Sequence, residues 1–512
     1  MKWLKSLALM SAMVISVVAQ ASPAAIKHQF TAQTKADAKV SVLLVGANQT
    51  AQVTGWSADT QAMVSAALAA KDFTGAPQQI VEVLAPVGLA SERLLVAGVG
   101  DSESFNRVAA EKLGAALWSY LPETADAKHA VSVDARLLNN ANLVAAIAHG
   151  MDLRDYRFDR YKSDPAKTEV RHVQWAVNQA PSVADHYADY AAIAGGVFMA
   201  RDIINLPGGD GYPQAIAEMV EKAVKPLGIK VTVLNPRQVE RAGMGALYGV
   251  SKGSEHKAYL LALQWQGSKD APIALVGKGN TFDTGGYNLK TSSASILRMQ
   301  TDKAGGGAVI GAVMALAGQK APVNVVAVVP LSHNLISGSA LLPGDVVTAG
   351  DGTRIEVANT DAEGRLILAD GIWYARDKFK PRVIADIATL TGSKVGALGT
   401  AYSAVFTEQD DVLRSMQQAG EATAELVWQL PLGPYPGIIK SNLADIANVG
   451  SPGAQAGAVF LQHFAKDTPF IHIDMAGNAY STSANGIHPA GGNGYGVRLL
   501  TEWVKIYADI AE

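Results

Sequence analysis

Apolar positions in this chain fall into short runs whose spacing predicts the elements they form. Runs rich in Val, Leu and Ile, such as 40–45 and 93–97, alternate with helix-like segments through the first part of the sequence. That alternation predicts an α/β arrangement. One more strand is expected over 170–177, then a long helix over 183–205 that stops before Pro207-Gly208-Gly209. Beyond it the strand candidates at 258–264, 272–276, 323–329, 383–387 and 470–475 are almost continuously apolar. Continuous rather than alternating apolarity predicts strands covered on both faces. Helices are expected at 307–318, 365–378 and 496–511. The pattern therefore reads as a smaller N-terminal α/β domain over 22–181 and a larger C-terminal domain over 182–512. The larger one begins with the linking helix and holds a mostly parallel central sheet flanked by helices.

The first residues stand apart from this plan. Lys2 and Lys5 precede an apolar run over 7–18, and Ala19-Gln20-Ala21 places small residues where a signal peptidase reads. A cleaved secretory signal over 1–21 is expected, since the run is too short to span a bilayer. This predicts an exported protein, with a bacterial periplasm the best fit. No later stretch is long and apolar enough for a membrane anchor.

Composition narrows the chemistry. With 49% hydrophobic and 17% charged residues among 512, the chain can bury a large core. Its 43 basic against 46 acidic residues give a formal charge of −3, so no nucleic-acid partner is expected. The absence of Cys excludes disulfides, thiolate metal sites and cysteine nucleophiles. Any chemistry falls to oxygen and nitrogen groups.

Two clusters offer such groups. The strand ending at Val276 runs into Gly277-Lys278-Gly279-Asn280-Thr281-Phe282-Asp283-Thr284-Gly285-Gly286, a glycine-dense turn with one amine and one carboxylate. Open α/β sheets bind ligands outside the carboxyl ends of their strands, where this turn would lie. The second cluster is Asn359-Thr360-Asp361-Ala362-Glu363-Gly364-Arg365. In an extended segment Asp361 and Glu363, two apart, project from one face. Two such charges repel unless a cation neutralises them, and divalent ions suit oxygen ligands.

Together with Ala388-Thr389-Leu390-Thr391-Gly392, these motifs resemble those of the leucyl (cytosol) aminopeptidase family, two-metal exopeptidases. The resemblance runs from Tyr156 to the C-terminus and includes Phe158-Asp159-Arg160-Tyr161-Lys162, Asn448-Val449-Gly450 and Gly494-Tyr495-Gly496. It implies that Lys278, Asp283, Asp302, Asp361 and Glu363 bind two divalent ions, zinc or manganese with magnesium as a further option. Asp283 and Glu363 would bridge them. The stretch from Lys290 to Asp302 is one residue longer than the family pattern, and Lys303-Ala304 precedes the glycines at 305–307. A water between the ions would attack the scissile carbonyl, Lys290 would stabilise the oxyanion, and Arg365 would hold a bicarbonate that relays protons. Met299, Thr389, Leu390, Gly392, Ala476 and Ala479 would line the pocket for the first side chain, with broad preference including Leu and Met. The implied substrates are short peptides with a free N-terminus, and the implied assembly is a homohexamer. The alternative expectation is a catalytically impaired member that binds peptides or acts as a DNA-binding regulator.

Other motifs compete less well. Gly249-Val250-Ser251-Lys252-Gly253 fits the pattern of a nucleophile elbow, but a strand rather than a helix is expected after it. No His-Glu-x-x-His pair occurs. His472, in an apolar strand, is expected to be a packed core residue, and His488 to be a solvated loop histidine.

Overall fold

The structure, a computed structural model, describes residues 26–33, 38–47, 56–101, 104–121, 131–164 and 170–510. The expected signal segment at 1–21 lies outside the described residues. The first sheet contains β1 (Ile26–Thr31), β2 (Val40–Gly46), β3 (Ile80–Leu84), β4 (Arg93–Gly100), β5 (Val131–Asp134) and β6 (Arg171–Ala176). Their order is β1-β6-β5-β2-β4-β3, parallel except where β3 pairs β4. Helices α1 (Ala58–Ala69), α2 (Arg107–Tyr120) and α3 (Ala141–Asp155) cover its faces, and α4 (Ala180–Asn205) leads out of it.

The second sheet is larger. Its strands are β7 (Lys230–Leu234), β8 (Tyr259–Gln266), β9 (Ile273–Gly277), β10 (Gly279–Asp283), β11 (Asn324–Asn334), β12 (Val383–Ala388), β13 (Ser403–Phe406), β14 (Val427–Gln429) and β15 (Phe470–Asp474). They run in the order β14-β13-β15-β12-β9-β11-β8-β7, with β10 branching to pair β11. β15, β12, β9 and β11 are mutually parallel, while β8 and β7 continue antiparallel at one edge and β13 lies antiparallel to β15.

The continuous apolar runs have a direct explanation in this sheet. In β9, Ile273 and Leu275 enter one core cluster while Ala274 and Val276 enter the other; β11 divides Val325 and Ala327 from Val326 and Val328 in the same way. Side chains alternate across a strand, so a sheet covered on both faces needs apolar residues at every position. Among the helices of seven residues or more, α5 (Pro213–Val224), α6 (Ala304–Gly318), α7 (Glu363–Phe379), α8 (Gly392–Leu398), α9 (Asp410–Thr423), α10 (Gly453–Ala465) and α11 (Val497–Ile510) complete this half. α6 packs into the first cluster and α7 into the second.

One core joins the two halves. It contains Val42 and Leu113 from the first, Ile193 from α4 and Val309 from α6. At the crossing of α4 and α6, a Cβ on Gly311 would lie 2.5 Å from the Gly196 carbonyl oxygen. Glycine at both positions lets the two backbones touch.

Candidate active site

Parallel strands bring their carboxyl ends to one edge, and the chain reverses its direction of travel across the sheet beside β9. β11 is added on one side of β9 and β12 on the other. Such a switch point opens a crevice between diverging loops. Lys278 follows β9, Asn334 ends β11, Thr389 follows β12 and Ala476 follows β15, so four strand ends supply this crevice.

Lys278 is buried there and its Nζ lies 2.7 Å from Asp302 Oδ1 and 2.9 Å from Glu363 Oε1. It also donates to the Thr389 carbonyl at 2.9 Å. Lys290 Nζ is 2.7 Å from Asp283 Oδ2 and pairs with Asp361 as well. Asp283, Asp361 and Glu363 each offer an oxygen within 4.8 Å of the others. The structure therefore brings together every candidate ligand and the candidate lysine, with Asp302 among them despite its lengthened approach. The stretch from Lys290 to Asp302 contains the short helix Ser293–Ile296 and runs into the 3₁₀ turn Met299–Lys303.

The second cluster is built differently from the expected extended segment. Asp361 sits in a turn closed by its own N–H donating to Asn359 Oδ1 at 2.8 Å, and Glu363 opens α7. Turn and helix start, rather than strand alternation, aim both carboxylates at the crevice. Asn448 Nδ2 holds the turn by donating to the Asn359 carbonyl at 2.7 Å. Gly364 completes the fit, because a Cβ there would lie 2.5 Å from Lys278 Cε.

Charge is concentrated beyond what two ammonium groups balance. Burial, reinforced by Glu363, pushes the Asp283 carboxyl up to about 7 against the pull of Lys290 and Lys278. Burial likewise pushes Glu363 up to about 7 despite Lys278 beside it. Burial alone would lower Lys278, but Asp302, Glu363 and Asp283 outweigh it and raise the ammonium above its ordinary range. Lys290 is raised in the same way, Asp283 and Glu363 overcoming its burial. This donor set suits divalent cations, which would supply the missing positive charge.

Arg365, on the first turn of α7, is 7% exposed and its Nε has no hydrogen-bond partner among the described residues. Burial lowers its pKa to about 10, so it remains a cation open to an anion. Lys303 turns away from the carboxylates, donating to the carbonyls of Leu206 at 2.8 Å and Thr281 at 3.2 Å. Burial takes it down to about 7, and it anchors the end of α4 rather than joining the candidate ligands.

The pocket candidates lie on neighbouring loops. Thr389, Leu390 and Gly392 follow β12, while Ala476 and Ala479 follow its parallel neighbour β15; Met299 opens the turn that carries Asp302. Thr389 has a further part, its Oγ1 donating to Asp302 Oδ1 at 2.7 Å. Gly392 faces open space, with nothing within 4 Å of a notional Cβ.

Two buried amides escaped the sequence reading. Asn280 and Asn334 donate to the carboxylates at 2.8–3.2 Å, Asn334 to Asp283 and Asn280 to Asp302 and Glu363. Their signal was a lone amide at each end of a glycine turn or apolar strand, which is too common to single out. The rival motifs resolve plainly. Ser251 follows the short helix Gly245–Val250 and precedes β8, reversing the strand-then-helix order of an elbow. His472 is packed in β15 with Nδ1 2.8 Å from Asp386 Oδ2. His488 is not a solvated loop residue: burial, with Arg201 and Arg498 nearby, lowers it to about 3.

Comparison with known proteins extends this picture. Residues 198–501 match the cytosol aminopeptidase family, catalytic domain, and residues 42–165 match that family's N-terminal domain. "Probable cytosol aminopeptidase 1" of Shewanella oneidensis is 44% identical over 450 residues, covering 87% of this chain and 89% of the relative. "Probable cytosol aminopeptidase" of Rickettsia africae is 39% identical over 449 residues, covering 85% and 90%. A solved structure, "Bottromycin maturation enzyme BotP in complex with Mn", aligns with a TM-score of 0.79 at 29% identity over 93% of this chain and 100% of that one. The two family matches run in chain order through both halves of the molecule, and the chain belongs to the cytosol aminopeptidase family of metal-dependent exopeptidases.

Proposed function

We propose that the chain releases N-terminal residues from short peptides, and that Lys278, Asp283, Asp302, Asp361 and Glu363 would hold two divalent ions, Asp283 and Glu363 contributing to both. The observation that carries this reading is the approach of Asp283, Asp361 and Glu363 to within 4.8 Å of one another, with the Lys278 and Asp302 pair 2.7 Å apart beside them. Two such ions, when bound, acidify a water and polarise the scissile carbonyl. Lys290 stays charged beside Asp283 and donates to the carbonyl oxygen as it gains negative charge. Arg365, whose Nε has no partner among the described residues, would hold a bicarbonate, which would supply a proton relay between water and the leaving amine. The ions would also hold the free α-amine of the substrate, which would limit cleavage to the first residue.

Met299, Thr389, Leu390, Gly392, Ala476 and Ala479 form the pocket for the first side chain. Mostly apolar groups discriminate by only about 1–3 kcal/mol per methylene, so Leu, Met and similar residues are all accepted. Manganese or zinc is the working ion, with magnesium a further option; the solved relative is a complex with Mn, and oxygen ligands with one amine do not select sharply. Lys2, Lys5 and the apolar run before Ala21 support export to a periplasm, and the family resemblance supports a homohexamer.

The test strips the protein with chelator and restores Mn²⁺, Zn²⁺ or Mg²⁺ separately, with Leu-Gly-Gly and its N-acetylated form as substrates. Metal-dependent cleavage of the free-amine peptide alone, abolished in Asp361→Ala, is expected. Equal cleavage of the acetylated peptide, or full activity in Asp361→Ala, would sink the reading. Cell fractionation checks export, and sedimentation of the processed chain checks the hexamer.

A further inference from the structure

Asn280 is the second residue of β10 and is fully buried. It stands opposite Ser332 of β11 in the parallel ladder, which directs both side chains to one face. Its Nδ2 donates to Asp302 Oδ2 at 2.9 Å and to Glu363 Oε1 at 3.2 Å, while its Oδ1 accepts from Ser332 Oγ at 3.0 Å. Chemistry dictates this orientation of the amide. Ionised carboxylates only accept, so the nitrogen must face them, and the hydroxyl is free to donate to the oxygen. Two hydrogens on one nitrogen thus serve two carboxylates.

The remaining hydrogen bonds show what this amide adds. Asp302 Oδ1 is already occupied by Lys278 Nζ and Thr389 Oγ1, so Asn280 provides the donor to the second oxygen. On Glu363 it shares Oε1 with Lys278. Both contacts fall on Glu363 Oε1. Lys278 also orients Asp302 and Glu363, but through a charge that it must surrender to offer a lone pair to an ion. The amide of Asn280 has no such proton to lose. Its two donors persist whether or not Lys278 is charged.

We propose that Asn280, braced by Ser332, is a positioning residue that fixes the orientation of Asp302 and Glu363 for divalent metal binding. This rests on the metal reading above. Partners that orient metal ligands typically account for about 10–100-fold in affinity, because a ligand free to rotate must be ordered by the ion itself. Leucine at this position would fill a similar volume and remove every one of the three hydrogen bonds.

The experiment measures Mn²⁺ uptake by the full-length, chelator-stripped protein at one fixed pH, by calorimetry and by the electron paramagnetic resonance signal of unbound Mn²⁺. Wild type, Asn280→Leu and Ser332→Ala are compared, with thermal midpoints recorded for each metal-free form. Asn280→Leu is expected to weaken one Mn²⁺ site by about 10–100-fold, with KM for Leu-Gly-Gly at saturating Mn²⁺ near the wild-type value. Ser332→Ala, which keeps the amide but frees it to turn, should weaken the same site by a smaller factor. Mn²⁺ affinity unchanged in Asn280→Leu while its thermal midpoint falls would overturn the proposal and leave Asn280 a packing residue. Should Asn280→Leu fail to fold, unchanged affinity in Ser332→Ala has the same meaning. A wild-type chain that takes up no Mn²⁺ would overturn the metal reading together with this one, which separates the two failures.

Discussion

A lysine that coordinates a metal must first lose its proton, and Lys278 begins from the opposite condition. Asp302, Glu363 and Asp283 overcome its burial and hold it charged above the ordinary lysine range. The same network leaves Asp283 and Glu363 raised to about 7 by burial, so below that pH each carries most of a proton. Metal and protons therefore compete for the same atoms, and affinity should fall with falling pH, more steeply below about 7. Uptake of Mn²⁺ near pH 6 should release about three protons, from Lys278, Asp283 and Glu363, and near pH 8 about one, from Lys278. Calorimetry in buffers of different ionisation enthalpy counts them. Equal release at both values would show that the two carboxyls are not raised. Under the proposed function Lys290 has a different part, since its charge would be used rather than displaced. Lys290→Gln should lower kcat by about 10²–10³ with metal stoichiometry unchanged, the usual cost of losing one donor to a developing oxyanion. At this scale the candidate ligands were legible because their motifs are local and specific. Asn280 and Asn334 were not, because an amide acquires its meaning only from the carboxylates it faces.

Helices and strands set where those residues stand. α4 and α6 cross with Gly196 and Gly311 in mutual backbone contact, and the turn carrying Asp302 leads directly into α6. Gly311→Ala places a methyl group 2.5 Å from the Gly196 carbonyl oxygen. The helices must separate, at a cost of about 1–3 kcal/mol, seen as a lower midpoint in thermal unfolding. An unchanged midpoint would mean that the crossing is looser than its geometry. The continuous apolar strands were readable in the sequence, because burial on both faces leaves no polar position. Two details were not. α6 starts at Ala304, three residues before the expected start, since its glycines Gly305 and Gly306 pack against β9, β10 and β12 instead of breaking the helix. The Asp361 segment is a turn and not a strand, a choice made by Asn359 and Asn448 side chains that no periodicity records.

The two halves of the molecule are joined by buried charge as well as by core. Glu111 on α2 lies 2.7 Å from Arg498 on α11, 3.0 Å from Arg107 and 3.1 Å from His149 Nδ1. Burial alone would raise this carboxyl, but Arg107 and Arg498 hold it far below its usual range. Glu111→Gln keeps the shape and removes the charge, leaving two guanidinium groups close together without it. Breaking a buried pair in this way costs about 3–5 kcal/mol. The N-terminal half should then unfold ahead of the rest, giving two calorimetric transitions; one transition at the wild-type temperature would refute this.

Arg201 adds a second tie, donating to the carbonyls of Leu153, Ile487 and Asn493 across the same junction. The sequence by itself determined the α/β class and the two-part order of elements, and it named the candidate metal ligands. Hydrophobic period and motif spacing depend on near neighbours, and these are written in the chain. Only the tertiary structure decided that Asp302 stands beside Lys278, that Asn280 links Asp302 to Glu363, and that Glu111 meets Arg498. Each of these contacts joins segments brought together by strand order and helix packing, which the summed burial of the whole molecule selects.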